Sequence, residues 1–242
     1  MNFTSLAGRN LKEVYRDPVT IVLGIGMPIG MLLLFTSIEK RLSFDLYNAQ
    51  NLTPGIIVFS FAFMIMFSAM LLAKDRQTSF LIRLFTTPLR PSDYILAYTL
   101  PFLPLALAQE LICLTAGMIM GATFSNIAAA MVFLLFFSTI CISIGTILGS
   151  LLTVGQVSGL GSVLVTAIGL LCGAWMDVGM IGGFLEKAAV SLPFIHAVEA
   201  SRKLLSGQDN SRLVSDLAII TAYAVMLFAG AVFAFRKAMK RV

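Results

Sequence analysis

The sequence has a single histidine, His196, and only three cysteines in 242 residues. One histidine excludes the paired-histidine HExxH helix of an intramembrane zinc protease. Cys113, Cys141 and Cys172 all lie in apolar runs, where they read as small packing residues; neither a disulfide framework nor a metal site is implied. No Gly-rich Walker loop occurs, so the chain does not hydrolyse ATP by the P-loop route. No pair of aspartates sits inside an apolar run, as an intramembrane aspartyl protease would need, and serine and histidine share no hydrolase motif. Charge is the largest deficit. Asp, Glu, Lys and Arg make up 12% of the chain, about half the roughly 25% of a soluble domain.

What remains is apolar. Hydrophobic residues reach 58% and mean hydropathy is +0.93. Six runs are near the roughly 20 residues that a helix needs to cross a bilayer. They lie at 19–37, 54–73, 95–120, 127–152, 157–175 and 213–235. The expectation is an all-α membrane protein of six transmembrane helices, with 1–242 forming one transmembrane domain and no separate soluble domain. The third run contains Pro101 and Pro104, which should kink it. It also contains Gln109 and Glu110. A carboxylate at a span centre costs about 2.5–3.5 kcal/mol on insertion scales, so Glu110 should face protein or water and be partnered. Glu110 reads either as a structural hydrogen bond to a neighbouring helix or, with Gln109 beside it, as a polar point on a translocation path. Residues 153–156 read as a tight turn. Glycines recur at four-residue spacing at 26/30, 117/121, 145/149, 155/159 and 169/173, which permits close helix approach. The fifth run is the richest in glycine and is expected at a helix–helix or subunit contact.

The segments between runs carry the rest of the pattern. In residues 2–17, Phe3, Leu6, Leu11, Val14 and Tyr15 fall near one helical face, while Arg9, Lys12 and Arg16 lie elsewhere. Mixed charge and the absence of a small-residue cleavage site argue against a signal peptide. The segment reads as an interfacial helix over residues 1–18, or as a frayed basic tail. Residues 177–212 hold two apolar pieces, 178–185 and 188–195, too short to cross. Gly179, Gly182, Gly183 and Pro193 break them, so re-entrant or interfacial half-helices are expected. Residues 74–94 are the longest charged interruption in the first half. Phe80, Leu81, Leu84 and Phe85 share one face there, among Lys74, Arg76, Arg83 and Arg90. Thr87-Pro88 and Arg90-Pro91 stop the pattern. This is either a short amphipathic helix on the cytoplasmic surface or an ordinary basic loop. With both ends on one side, eleven Lys and Arg flank that side and six the other. The bias puts both termini and residues 74–94 in the cytoplasm, and explains the +5 charge without nucleic acid.

The run Leu81-Ile82-Arg83-Leu84-Phe85-Thr86-Thr87-Pro88 resembles the intracellular motif of the type-2 ABC exporter permeases, in which a Leu-x-Arg-Leu-type segment ends in Thr-Pro. That family has Glu-Arg-Glu-x-Gly-Thr just before; here Asp75-Arg76-Gln77-Thr78-Ser79-Phe80 keeps Arg76 alone. Gly173-Ala174-Trp175, Leu192-Pro193-Phe194 and Ala200-Ser201-Arg202 resemble its external segment before the last span. Met176 and Met180 stand in a region where the family usually has prolines.

The resemblance implies a dimer of six-span permeases, with an identical or homologous second copy, docked on two separate ATPase subunits. It implies a cytoplasmic coupling helix in which Phe80, Leu81, Arg83, Leu84 and Phe85 meet the ATPase. It also implies external half-helices in 177–212, with Trp175, Pro193, Glu199 and Arg202 in the external segment; Gln109 and Glu110 are the candidate translocation path on their own polarity within the third span. No cofactor would be bound by this chain; ATP and Mg2+ would sit on the partner ATPase. The compact loops look most like the drug-resistance branch, so the expected cargo is hydrophobic or amphipathic: a drug, an antimicrobial or a lipid. The expected location is the plasma (inner) membrane of a prokaryote. The alternative is a non-ABC secondary carrier or a membrane-embedded lipid-processing enzyme. A carrier would more often show a duplicated half or several in-span charges, and neither is present.

The topology has a direct check. Cysteines introduced at Asn126 and Gln208 in a cysteine-free background should react with an impermeant thiol reagent from outside intact cells. Labelling only after the cells are opened would reverse the orientation.

Overall fold

The computed structural model describes residues 3–42, 48–78, 91–176, 178–180, 182–207 and 213–239. No strand occurs among them, and six helical segments are long and apolar enough to cross a membrane. Helix α1 (Phe3–Arg16) is amphipathic, burying Leu6, Asn10 and Val14. It ends before Pro18, as the residue preceding a proline disfavours the helical region. Asp17 then starts the first span: its carboxylate accepts from Val19 N and Thr20 Oγ1, satisfying one of the orphan donors of α2 (Pro18–Ile21).

Between α2 and α3 (Met27–Leu42), residues Val22–Gly26 form a π-helical segment. Pro28 cannot donate to the carbonyl four residues back, and its ring would clash with it; the wider turn absorbs both problems.

Helix α4 (Ala49–Gln77) is the second span, starting five residues earlier than its apolar run because Asn48 caps it through Gln50 N. The third span is split as its prolines require. Helix α5 (Pro91–Thr99) gives way to a 3-10 turn at Leu100–Phe102, and α6 (Leu103–Ile119) continues. Helices α7 (Ile127–Leu151) and α8 (Val154–Leu171) form spans four and five. The turn between them is shorter than 153–156. Thr153 and Gln156 make a reciprocal capping box, so Gln156 already lies in the first turn of α8. Span five also ends before Trp175, because Cys172 closes the helix and Gly173 takes φ 71°.

Residues 178–206 contain three short pieces: a 3-10 turn at Val178–Met180, α9 (Gly183–Ser191) and α10 (Pro193–Ser206). The breaks fall at Gly182 and Gly183, both with positive φ, and at Pro193, the first residue of α10. The two expected apolar pieces are therefore redistributed, since α10 runs eleven residues past Ile195. Helix α11 (Leu213–Met239) carries the sixth span.

Helix α4 is the axis of the bundle. Its most apolar window is 89% buried against protein, whereas the other five spans range from 17% to 50%. Helices α3, α6, α7, α8 and α10 all pack on it. The closest approach is to α7, where Gly145 and Gly149 let the backbones meet. A methyl group on Gly145 would overlap Ser68 Oγ and the Ile65 carbonyl, and one on Gly149 would lie 2.5 Å from the Ala69 carbonyl. The fifth span, richest in glycine, uses only part of that stripe internally. Gly161 lies against Met66 and Gly169 against Phe59 and Trp175, but Gly155 and Gly159 face open space. Gly145→Ala should therefore destabilise the fold by about 1–3 kcal/mol, the usual cost of overpacking, whereas Gly159→Ala should not. Unfolding of the purified chain in detergent, followed by circular dichroism against denaturant, separates the two.

Candidate functional site

The α1 end of the bundle holds a charged constellation that brackets the segment expected to couple. Arg9, Asp75 and Tyr98 come from α1, α4 and α5. Arg9 donates from Nη1 to Asp75 Oδ2 at 2.6 Å and from Nη2 to Oδ1 at 2.7 Å, a bidentate pair. Tyr98 Oη donates to the same Oδ2 at 2.6 Å. The Asp75 side chain is only 4% exposed, so its charge needs both donors. The bonded Asp75 carboxylate pushes Arg9 further above the ordinary guanidinium range. Glu13 adds a second ion pair, 2.8 Å from Arg9 Nη2. One residue on, the fully buried Asn10 donates from Nδ2 to the Ala97 carbonyl at 3.1 Å. Arg76 reaches the other way and donates to the carbonyls of Gly149 and Leu152 at 3.1 and 3.3 Å, so a cation caps the C-terminus of α7. The last turn of α4 is thus tied to α1, α5 and α7 at once. The next described residue after Thr78 is Pro91. Phe80, Leu81, Arg83, Leu84 and Phe85 lie outside the described residues, between the two anchored ends.

Gln109 and Glu110 occupy the middle of span three, on α6, and both are fully buried. Gln109 Nε2 donates to Ser60 Oγ of α4, and Ser60 Oγ donates in turn to the Ile57 carbonyl at 2.6 Å. Gln109 is thereby bonded to a neighbouring helix, whereas the sequence pattern places that structural hydrogen bond on Glu110. The two carboxylate oxygens of Glu110 meet no donor among the described residues. Gln109 is satisfied at Nε2 alone, since its Oε1 is also buried without a donor among the described residues.

At the opposite end, Trp175 sits edge-on to Phe59 at 4.6 Å and stacks on Phe35 at 5.9 Å. Pro193 starts α10 and is buried. Arg202 donates from Nε to the Asn51 carbonyl at 2.8 Å and from Nη2 to the carbonyls of Gly173 and Ala174 at 3.0 Å each. It thereby fastens α10 to the start of α4 and to the chain leaving α8. Glu199 and Arg202 line a cavity of about 420 Å3 with Glu186, Met176 and Ile195. Asp216, at the start of α11, receives Lys203 Nζ at 2.8 Å and His196 Nδ1 at 3.1 Å. Trp175, Pro193, Glu199 and Arg202 are therefore brought to one end of the bundle, away from Gln109 and Glu110 and from α1. Sequence reasoning missed Arg9, Tyr98 and Asp216. Arg9 and Asp75 stand 66 residues apart, and no local spacing links them. The usable signal was opposite charges on segments meeting the same membrane surface.

The order of these features has a counterpart among known proteins. The sequence model of the family described as ABC-2 type transporter matches residues 1–205. The chain belongs to the ABC-2 type transporter family. A transport permease, ycf38, of Pyropia yezoensis is 26% identical over 212 residues, covering 84% of this chain and 73% of the relative. The corresponding transport permeases of Porphyra purpurea and Cyanophora paradoxa are also 26% identical, over 215 and 211 residues. As an ABC-2 permease the chain is a multi-pass membrane protein and a non-catalytic transport subunit, and the family implies ATPase partner subunits.

The constellation at the α1 end carries a testable energy. Asp75→Ala removes the acceptor of three charged or phenolic hydrogen bonds and should cost about 1.5–3 kcal/mol. A double-mutant cycle of Arg9→Ala with Asp75→Ala should return a coupling of about 1–2 kcal/mol, read from chemical unfolding of the purified chain. Additive losses would mean that the pair contributes no mutual stabilisation.

Proposed function

We propose that this ABC-2 permease is the membrane half of an ATP-driven exporter, moving a hydrophobic or amphipathic molecule out of the cytoplasm or inner leaflet. The observation that carries this reading is the bracing of both ends of residues 79–90. Asp75 and Arg76 fix the last turn of α4, and Asn10 and Tyr98 fix the start of span three. A force applied to the intervening segment would be handed to spans two and three through these braced ends. Phe80, Leu81, Leu84 and Phe85 would fill a groove on the ATPase, and Arg83 would pair with an acidic rim. Two ATPase subunits, each binding ATP and Mg2+, would serve two permease copies, with both termini cytoplasmic in a prokaryotic plasma membrane. The partner can shift the permease between inward and outward states only by its differential affinity for them.

The open glycine face of α8, at Gly155 and Gly159, supports a helix contact between copies. Gln109 and Glu110 would lie on the translocation path. Support comes from the buried carboxylate of Glu110, which takes no hydrogen bond from a described residue. Its partner would then come from cargo, water or the second copy. Trp175, Pro193, Glu199 and Arg202 would hold the external cap through which cargo leaves.

Burying one aromatic or Leu side chain contributes about 1.5–3 kcal/mol, so a single truncation should weaken docking without unfolding the spans. In membranes with the ATPase co-expressed, Phe85→Ala and Leu84→Asp should lower substrate-stimulated ATP hydrolysis and export together, while expression and dimer content hold. Full hydrolysis and full export in both variants would remove residues 80–88 as the coupler.

A further inference from the structure

A groove opens between α1, the start of span one, the last turns of α4 and the first turn of α8, where Gly155 borders the face assigned to the contact between copies. Its inner part is a cavity of about 410 Å3 walled by Val14, Met66, Phe67, Met70 and Phe102. Its mouth is shared with a second, wider depression lined by Lys12, Arg16 and Lys74. These three cations are exposed and form no ion pair with a described residue. Two carboxylates also line the mouth and offset part of this charge. Glu13 pairs with Arg9, and Asp17 accepts from Val19 N and Thr20 Oγ1. The mouth therefore keeps a net positive charge, with Lys12, Arg16 and Lys74 exceeding the carboxylates there, beside an apolar slot at the level where an amphipathic helix lies in a membrane surface.

The geometry points to a binding site for an anionic phospholipid of the leaflet against which α1 lies. The phosphate would be held by Lys12, Arg16 and Lys74, and one acyl chain would enter the slot between Met66 and Phe102. Three features select this ligand. A free inorganic anion has no use for a slot walled by methionine and phenylalanine. A zwitterionic lipid brings a choline cation that three like charges repel. A neutral apolar molecule leaves the cations unanswered. The flexible thioethers of Met66 and Met70 suit a chain of variable unsaturation, and the long stems of Lys12 and Lys74 can reach a headgroup while staying at the interface. The site stands independently of what is exported, since it needs neither the ATPase nor cargo.

The test uses the purified full chain in neutral detergent. The probe is a phosphatidylglycerol with a photoreactive acyl chain, and the control is phosphatidylcholine with the same chain. Phosphatidylglycerol should crosslink to peptides containing Met66 and Met70 at concentrations where phosphatidylcholine does not. Each basic residue near a charged surface contributes about 1 kcal/mol, about a fivefold change in affinity. K12Q/K74Q should therefore raise the half-saturating concentration roughly 25-fold. Met70→Trp, which fills the slot and leaves the cations, should abolish labelling of Met66 while the unfolding midpoint is unchanged. Equal labelling by the two lipids, unchanged labelling in K12Q/K74Q, or labelling confined to α11 would each overturn the site. Displacement of the phospholipid by an equal concentration of palmitate would overturn the assignment to a phospholipid in favour of any anionic amphiphile.

Discussion

A helix surrounded by other helices in a bilayer gains little from the hydrophobic effect, since lipid tails are as apolar as leucine. It is held by close packing and by hydrogen bonds between helices. Helix α4 meets that constraint along nearly its whole length. Small or weakly polar groups recur where it touches neighbours: Gly55 against Ala174, Ser60 against Gln109, and Ser68 and Ala69 against Gly145 and Gly149. Spans one, three, four and five can be arranged around α4 only because these contacts leave room for the backbones to meet, while span six packs on α7 and α10. Their outer faces carry the groups that lipid tolerates, including Ile119, Val132, Val163 and Phe233, all exposed.

At its two ends α4 exchanges packing for charge. Asp75 and Arg76 bind α1, α5 and α7 at one membrane surface, and Arg202 bonds the Asn51 carbonyl at the other. The central helix is thus greased in the middle and bolted at both rims. This division suits a protein whose parts are expected to shift relative to one another. Dispersion contacts between apolar side chains allow small sliding, while bidentate pairs fix orientation.

The six spans were legible because a run of about twenty apolar residues has few alternatives. Span boundaries were less so, and each error has a physical source. Capping groups decided them: Asn48 extended α4 toward its N-terminus, and the Thr153–Gln156 box pulled α8 forward. Hydropathy does not register either device. Glycine content pointed to span five, but the tightest contact used two glycines of span four, because the partner surface on α4 rather than the count of glycines sets the approach. The fold-breaking residues Pro101, Pro104, Gly182, Gly183 and Pro193 acted where their chemistry requires. Of the site, the separate placement of the mid-span pair and the Trp175–Arg202 group could be read from the order of the segments. The Arg9–Asp75–Tyr98 constellation could not, since it depends on how three helices converge.

Pro101 has no N–H, so within span three the Ala97 carbonyl loses the rung it would receive from four residues ahead. Inside a membrane such an acceptor has no water to turn to. Asn10 Nδ2 supplies the bond. The backbone ladder of a membrane-crossing helix is therefore completed by a side chain from a helix lying on the surface, and neither helix is whole without the other. A chain missing α1 would expose not a lost accessory but an open rung in its third span. The surface helix is, in this sense, part of the transmembrane structure, although it crosses nothing.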